Sequence, residues 1–190
     1  ARTCRPPRWR TCCGATPPSI VKITEAAGVA LGTFYLYFPG KLELFTEVVI
    51  DLNRQLRMAM SEGSKGATTR LEAERGGFRA YFDFIARNPA VYPIIREAWF
   101  VAPDALHLHY ERIQAGYTEA LADAVEEGEI APVDPEVAAW ALMGIGEMVG
   151  MRYQSWPDPD RTTAQIPDDV FEACMTIITN ALTPRKDTHE

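Results

Sequence analysis

The sequence predicts an all-α protein. From Ser19 onward apolar residues recur at helical spacing in one segment after another, Gly and Pro close those segments, and no stretch reads as a strand. At 190 residues the chain is long enough for one large or two small domains with apolar cores.

The elements follow in order. Ser19 is a good N-cap, and Ile20, Ile23, Ala26 and Ala27 form a short amphipathic helix that runs into Gly28, which tolerates the left-handed conformation that closes a helix. A second short helix follows over 31–38, with Thr33, Tyr35 and Tyr37 at every other position and Leu31, Phe34 and Phe38 spaced for the inner face. Its cap position holds Ala30, which forgoes about 1 kcal/mol of capping. The pair reads as a helix-turn-helix, an element that fits the DNA major groove.

Pro39-Gly40 breaks the chain. A long helix is predicted over 41–60, a turn over 63–68, and helices over 69–87, 90–101 and 103–126. Asp134 caps a helix to about Tyr153, a Pro- and Asp-rich connection spans 156–167, and a last helix covers 168–182. The 137–151 stretch is apolar on nearly all sides apart from Glu147, and is too short to span a bilayer, so it reads as a buried helix.

Net charge is −7, distributed unevenly. Residues 1–41 carry six basic side chains, Lys22 and Lys41 among them, against Glu25 alone; that is a net +5, which leaves −12 for the remainder. A basic head and an acidic body orient a protein head-first on a phosphate backbone.

The run Ala-Ala-Gly-Val at 26–29, then Gly-Thr-Phe-Tyr-Leu-Tyr-Phe at 32–38, and Lys41 after a short loop, resembles the TetR/AcrR family of bacterial one-component repressors. The resemblance is close over about 19–49. It implies a DNA-binding domain over 19–48, a ligand-binding and dimerisation domain over 49–184 and a polar tail over 185–190. By that resemblance Lys22, Leu31, Thr33, Tyr35, Tyr37 and Lys41 are the candidate contacts to a double-stranded DNA operator. The last two helices are expected to form a four-helix bundle with the same pair of a second subunit, a homodimer with Gly146, Gly150, Phe171 and Ile178 in the seam.

The middle helices are rich in aromatic residues, and a pocket is expected there for a small-molecule effector, lined by Phe82, Ile95, Trp99, Tyr110, Tyr117, Met143 and Glu147. Lipophilic or acyl-type effectors suit such a lining. The leading reading is a ligand-responsive transcriptional regulator, a repressor; the other is a dimeric all-α small-molecule-binding protein with impaired DNA binding.

Residues 1–18 depart from the family pattern. Prolines at 6, 7, 17 and 18 and the absence of an apolar period forbid the helix that the family has there, so an irregular segment is expected. An out-of-frame reading or a displaced start produces such a run, and a basic arm for the minor groove is the other reading.

No catalytic constellation or cofactor motif is present, and His107 and His109 point to different helix faces, so no enzyme is expected. Cys4, Cys12 and Cys13 match no common zinc spacing and Cys174 reads as a small buried hydrophobe; neither metal nor disulfide is expected. Neither a secretory signal nor a membrane span is read, which gives a cytoplasmic expectation.

Overall fold

A computed structural model of the chain describes residues 18–156 and 164–184. The described residues form eight α-helices and no strand: α1 (Ile20–Ala27), α2 (Leu31–Tyr37), α3 (Lys41–Gly63), α4 (Arg70–Arg87), α5 (Val91–Val101), α6 (Pro103–Glu126), α7 (Pro135–Gly150) and α8 (Asp168–Leu182). A π-helical turn, Met151–Ser155, continues α7. The irregular segment expected over 1–18 lies outside the described residues except for Pro18, as do Cys4, Cys12, Cys13 and the tail expected over 185–190.

The boundaries have local causes. Ser19 Oγ accepts from the Lys22 N–H at 3.3 Å, and Gly28 closes α1 at φ 68° with its own N–H donating to the Glu25 carbonyl. Thr69 Oγ1 accepts from the Glu72 N–H at the start of α4, and the Glu72 carboxylate reaches back to the Thr68 N–H and hydroxyl at 2.8 and 2.7 Å. Asp134 Oδ1 caps α7 on the Val137 N–H at 3.0 Å. Two ends differ from expectation. α3 runs on to Gly63 because the Ser64 N–H and hydroxyl both donate to the Met60 carbonyl, and α7 stops at Gly150, where the Trp156 N–H takes the Met151 carbonyl in a widened turn.

The chain divides into two compact units between Leu44 and Phe45, inside the first turn of α3. In the first unit the described residues bury Thr24 and Phe34; Phe38 packs tilted on the Phe34 ring at 5.5 Å. The second unit has two apolar clusters. One joins α4, α6, α7 and α8 around Phe78, Phe82, Leu121, Leu142, Phe171 and Ile178; the other joins α3, α4, α5 and α6 around Val49, Leu56, Ile85, Ile95 and Leu106. Tyr81 packs against both. Each wholly buried Phe or Ile here contributes about 1.5–3 kcal/mol.

This packing corrects the dimer-seam expectation. Phe171 and Ile178 are 1% and 0% exposed within one subunit, in the core against α4. Gly146 and Gly150 are also buried: a Cβ on Gly146 would lie 3.5 Å from the Phe78 and Tyr81 rings, and one on Gly150 would lie 2.0 Å from Tyr92 Oη. These four positions lie on the inward faces of α7 and α8, and a residue fully enclosed by its own subunit has no surface left for a second. No helix among the described residues is long and apolar enough to cross a membrane.

Candidate DNA-reading helix and effector cavity

In the first unit α2 exposes almost everything except Phe34. Leu31, Tyr35, Leu36 and Tyr37 are 43%, 53%, 81% and 76% exposed, and Thr33 is exposed as well. At 3.6 residues per turn Thr33 and Tyr37 share a face, whereas Tyr35 lies about 160° away. The Tyr35 ring accordingly meets Phe34 edge-on at 5.3 Å, on the inner flank beside Leu31. The three hydroxyl side chains therefore do not form one row. Leu36, which sequence reasoning passed over, completes the outward face with Thr33 and Tyr37. Lys22 is exposed in the first turn of α1, and Lys41 is half-buried as the first residue of α3.

The second unit contains a partly open cavity of about 50 Å³ at the junction of the two core clusters. Of the seven predicted lining residues, Ile95, Tyr110, Tyr117, Met143 and Glu147 border it. Two do not. Phe82 is wholly buried but turned to α8, its ring T-shaped on Phe171 at 6.4 Å, while its neighbours Phe78, Tyr81 and Ile85 take the cavity side of α4. Trp99 is 66% exposed. It repeats the phase of Ile95 one turn later, but in the last turns of α5 the inward contact is made by the small Ala98 and Ala102, and the indole stays in solvent. Tyr92 and His109, which are not among the predicted lining residues, both border the cavity. Gly146, expected in the seam, borders it too. Met60 carried no signal, since it sits at the predicted end of its helix.

The polar groups are few and specific. The Tyr110 hydroxyl donates to Glu147, 3.0 Å from both carboxylate oxygens, and the Tyr81 and Tyr92 hydroxyls lie 3.1 Å apart. Burial, with the Glu147 charge adding to it, pushes the phenols of Tyr92 and Tyr110 well up, so both stay protonated. Asn53 Nδ2 donates to His109 Nδ1 at 3.2 Å and to the His109 carbonyl at 2.9 Å. Turning that amide over would set its oxygen against the carbonyl, so Nδ1 is the acceptor and the His109 proton is on Nε2. Burial lowers the His109 pKa to about 4, and the ring is neutral.

Residues 17–48 match the family model for bacterial regulatory proteins of the tetR family. The helix-turn-helix is a TetR-family one. The TetR-type match stops near the start of α3, and more distant relatives extend beyond it. The chain is 24% identical over 125 residues to the uncharacterized HTH-type transcriptional regulator YhgD of Bacillus subtilis, covering 64% of this chain and 65% of that one. It is 23% identical over 137 residues to the nucleoid occlusion factor SlmA of Mannheimia succiniciproducens, covering 69% and 63%. The match thus spans just under two thirds of either relative's length. A crystal structure of a TetR-family regulator from Rhodococcus sp. superposes with a TM-score of 0.73 at 18% identity over 87% of this chain and 88% of that one, so the helical body shares the TetR fold.

Proposed function

We propose that this chain is a TetR-family transcriptional repressor whose homodimer binds a double-stranded DNA operator through α2 and whose operator affinity is set by a small lipophilic effector in the cavity. The observation that carries the reading is α2 itself: a short helix anchored by buried Phe34 and otherwise presented to solvent, inside the stretch that matches the family model. Thr33, Leu36 and Tyr37 face base edges, the Leu against a thymine methyl, while Tyr35, Lys22 and Lys41 hold phosphates. The effector and the operator then change each other's affinity by the same factor.

The dimer forms through the outer faces of α7 and α8. On α7 Val137, Trp140, Ala141, Gly144 and Met148 are exposed, a row at helical spacing with not one charge, and on α8 Ala173, Ile177 and Ala181 are exposed likewise.

The test is selection of bound fragments from random DNA, followed by titration of the selected operator over a range of salt. Lys41→Ala is expected to weaken binding alike across sequences and to reduce the salt slope by about one. Thr33→Ala is expected to relax sequence preference instead. A folded chain that selects no DNA would favour the small-molecule-binding protein without operator activity.

A further inference from the structure

The charges around the cavity say which kind of effector it takes. Neither Lys nor Arg borders it. Its titratable groups are four tyrosines kept protonated by burial, His109 kept neutral, and the Glu147 carboxylate. Glu147 has no cationic partner among the described residues, and a single phenolic proton from Tyr110 serves both of its oxygens. A carboxylate has about four acceptor sites, so it can take a further donor beside Tyr110. Around it stand the rings of Tyr110, Tyr81 and Tyr92, whose faces carry the negative side of the aromatic quadrupole. The arginines of the neighbouring open groove, Arg57, Arg70 and Arg112, do not border the cavity; the groove shares only Met60, Ile113 and Tyr117 with it, Arg57 and Arg112 are exposed, where solvent screens them, and Arg70 is paired with Glu74.

Resting on the reading of this cavity as the effector site, we propose that its effector is a hydrophobic organic cation, an aromatic or alkyl amine whose ammonium group pairs with Glu147 among the tyrosine rings. A carboxylate or other acyl anion would be set against Glu147 with no positive group in the lining to answer it, so the acyl-type effectors that an apolar lining by itself admits are disfavoured. A 50 Å³ space is smaller than the roughly 150 Å³ that holds benzene. The amine therefore enters by displacing walls, and Met60 and Met143, flexible thioether chains, are the ones that give; Met60 also borders the groove of about 360 Å³ next door.

The experiment compares benzylamine, benzyl alcohol and benzoate, near-isosteres carrying a positive, no and a negative charge, by calorimetry and by the rise in melting temperature of the full chain. Benzylamine is expected to bind about tenfold tighter than benzyl alcohol, with benzoate weakest. In Glu147→Gln, which keeps an acceptor for Tyr110, the amine should lose that advantage. If benzoate matches or exceeds benzylamine on the parent chain, or if the amine preference persists in Glu147→Gln, the assignment of a cation is overturned while the cavity stands as a site. If none of the three binds, the cavity is not an effector site and both readings fall.

Discussion

His109 is 7% exposed and locked as a neutral tautomer by Asn53, which makes it the residue whose protonation most directly opposes folding. Its pKa is about 4 when folded against roughly 6.5 in an unfolded chain. Between those values the unfolded chain binds the extra proton, so this group's contribution is fully present above pH ~6.5 and is lost as pH falls toward 4. The contribution reaches roughly 3 kcal/mol. Urea unfolding of the parent chain and of His109→Phe at several pH values tests this: the parent should lose stability faster than the variant between pH 6.5 and 4, and parallel curves would show that burial does not hold the imidazole neutral. Glu74 poses the opposite problem. It is 1% exposed beside Arg70 at 2.5 Å, and burial outweighs the guanidinium in pushing its pKa up. Taking Arg70 away would leave that carboxylate buried without a counter-charge, with the Tyr117 hydroxyl as its remaining partner.

Among the elements α2 is the least secured. It has seven residues, its N-cap Ala30 makes no side-chain bond, and Phe34 is its one buried side chain. A helix so short depends on its cap and its anchor rather than on propensity. Ala30→Ser is expected to stabilise the first unit by about 1 kcal/mol, since Ala30 already has the extended backbone of an N-cap residue at φ −69° and ψ 145°. Hydrogen exchange of the α2 amides measures it, with slower exchange confined to residues near the cap as the expected result. The junction of α7 with the π-helical turn is constrained in a different way, because Tyr92 Oη occupies the place of a side chain at Gly150. Any larger residue there must displace the Tyr92 hydroxyl and with it the pairing to Tyr81.

At the scale of the whole molecule the exposed apolar rows of α7 and α8 are the strongest statement about assembly. Val137, Met148 and Ile177 are 66%, 59% and 61% exposed, large apolar side chains that a lone subunit leaves in water. Light scattering is expected to give a dimer for the parent chain at micromolar concentration. Met148→Glu combined with Ile177→Glu should give a monomer with unchanged helical circular dichroism, because both positions lie outside the subunit's own core. A parent chain that is itself monomeric removes the dimer from the proposal.

Sequence by itself determined the helices and the reading head. Caps at Ser19 and Asp134, the left-handed Gly28, and Pro103 and Pro135 in the first turns of α6 and α7 act within a few residues of where they stand, and so their effects are local and legible. The same locality made the TetR-type run readable, since it fits into two short helices and a turn. What lay beyond sequence was which side of an apolar helix a neighbour would cover. Helical phase put Phe82 and Trp99 inward together, yet one is sealed against α8 and the other lies in solvent, because Ala98 and Ala102 make the inward contact at that end of α5. In α7 and α8 period alone showed apolar residues on most sides, and only the tertiary packing decided that Gly146, Phe171 and Ile178 are buried while Trp140, Met148 and Ile177 are exposed. The single charge of the cavity was visible as Glu147 in an apolar run. That no cation faces it is a property of five helices meeting in space, and no spacing along one of them encodes it.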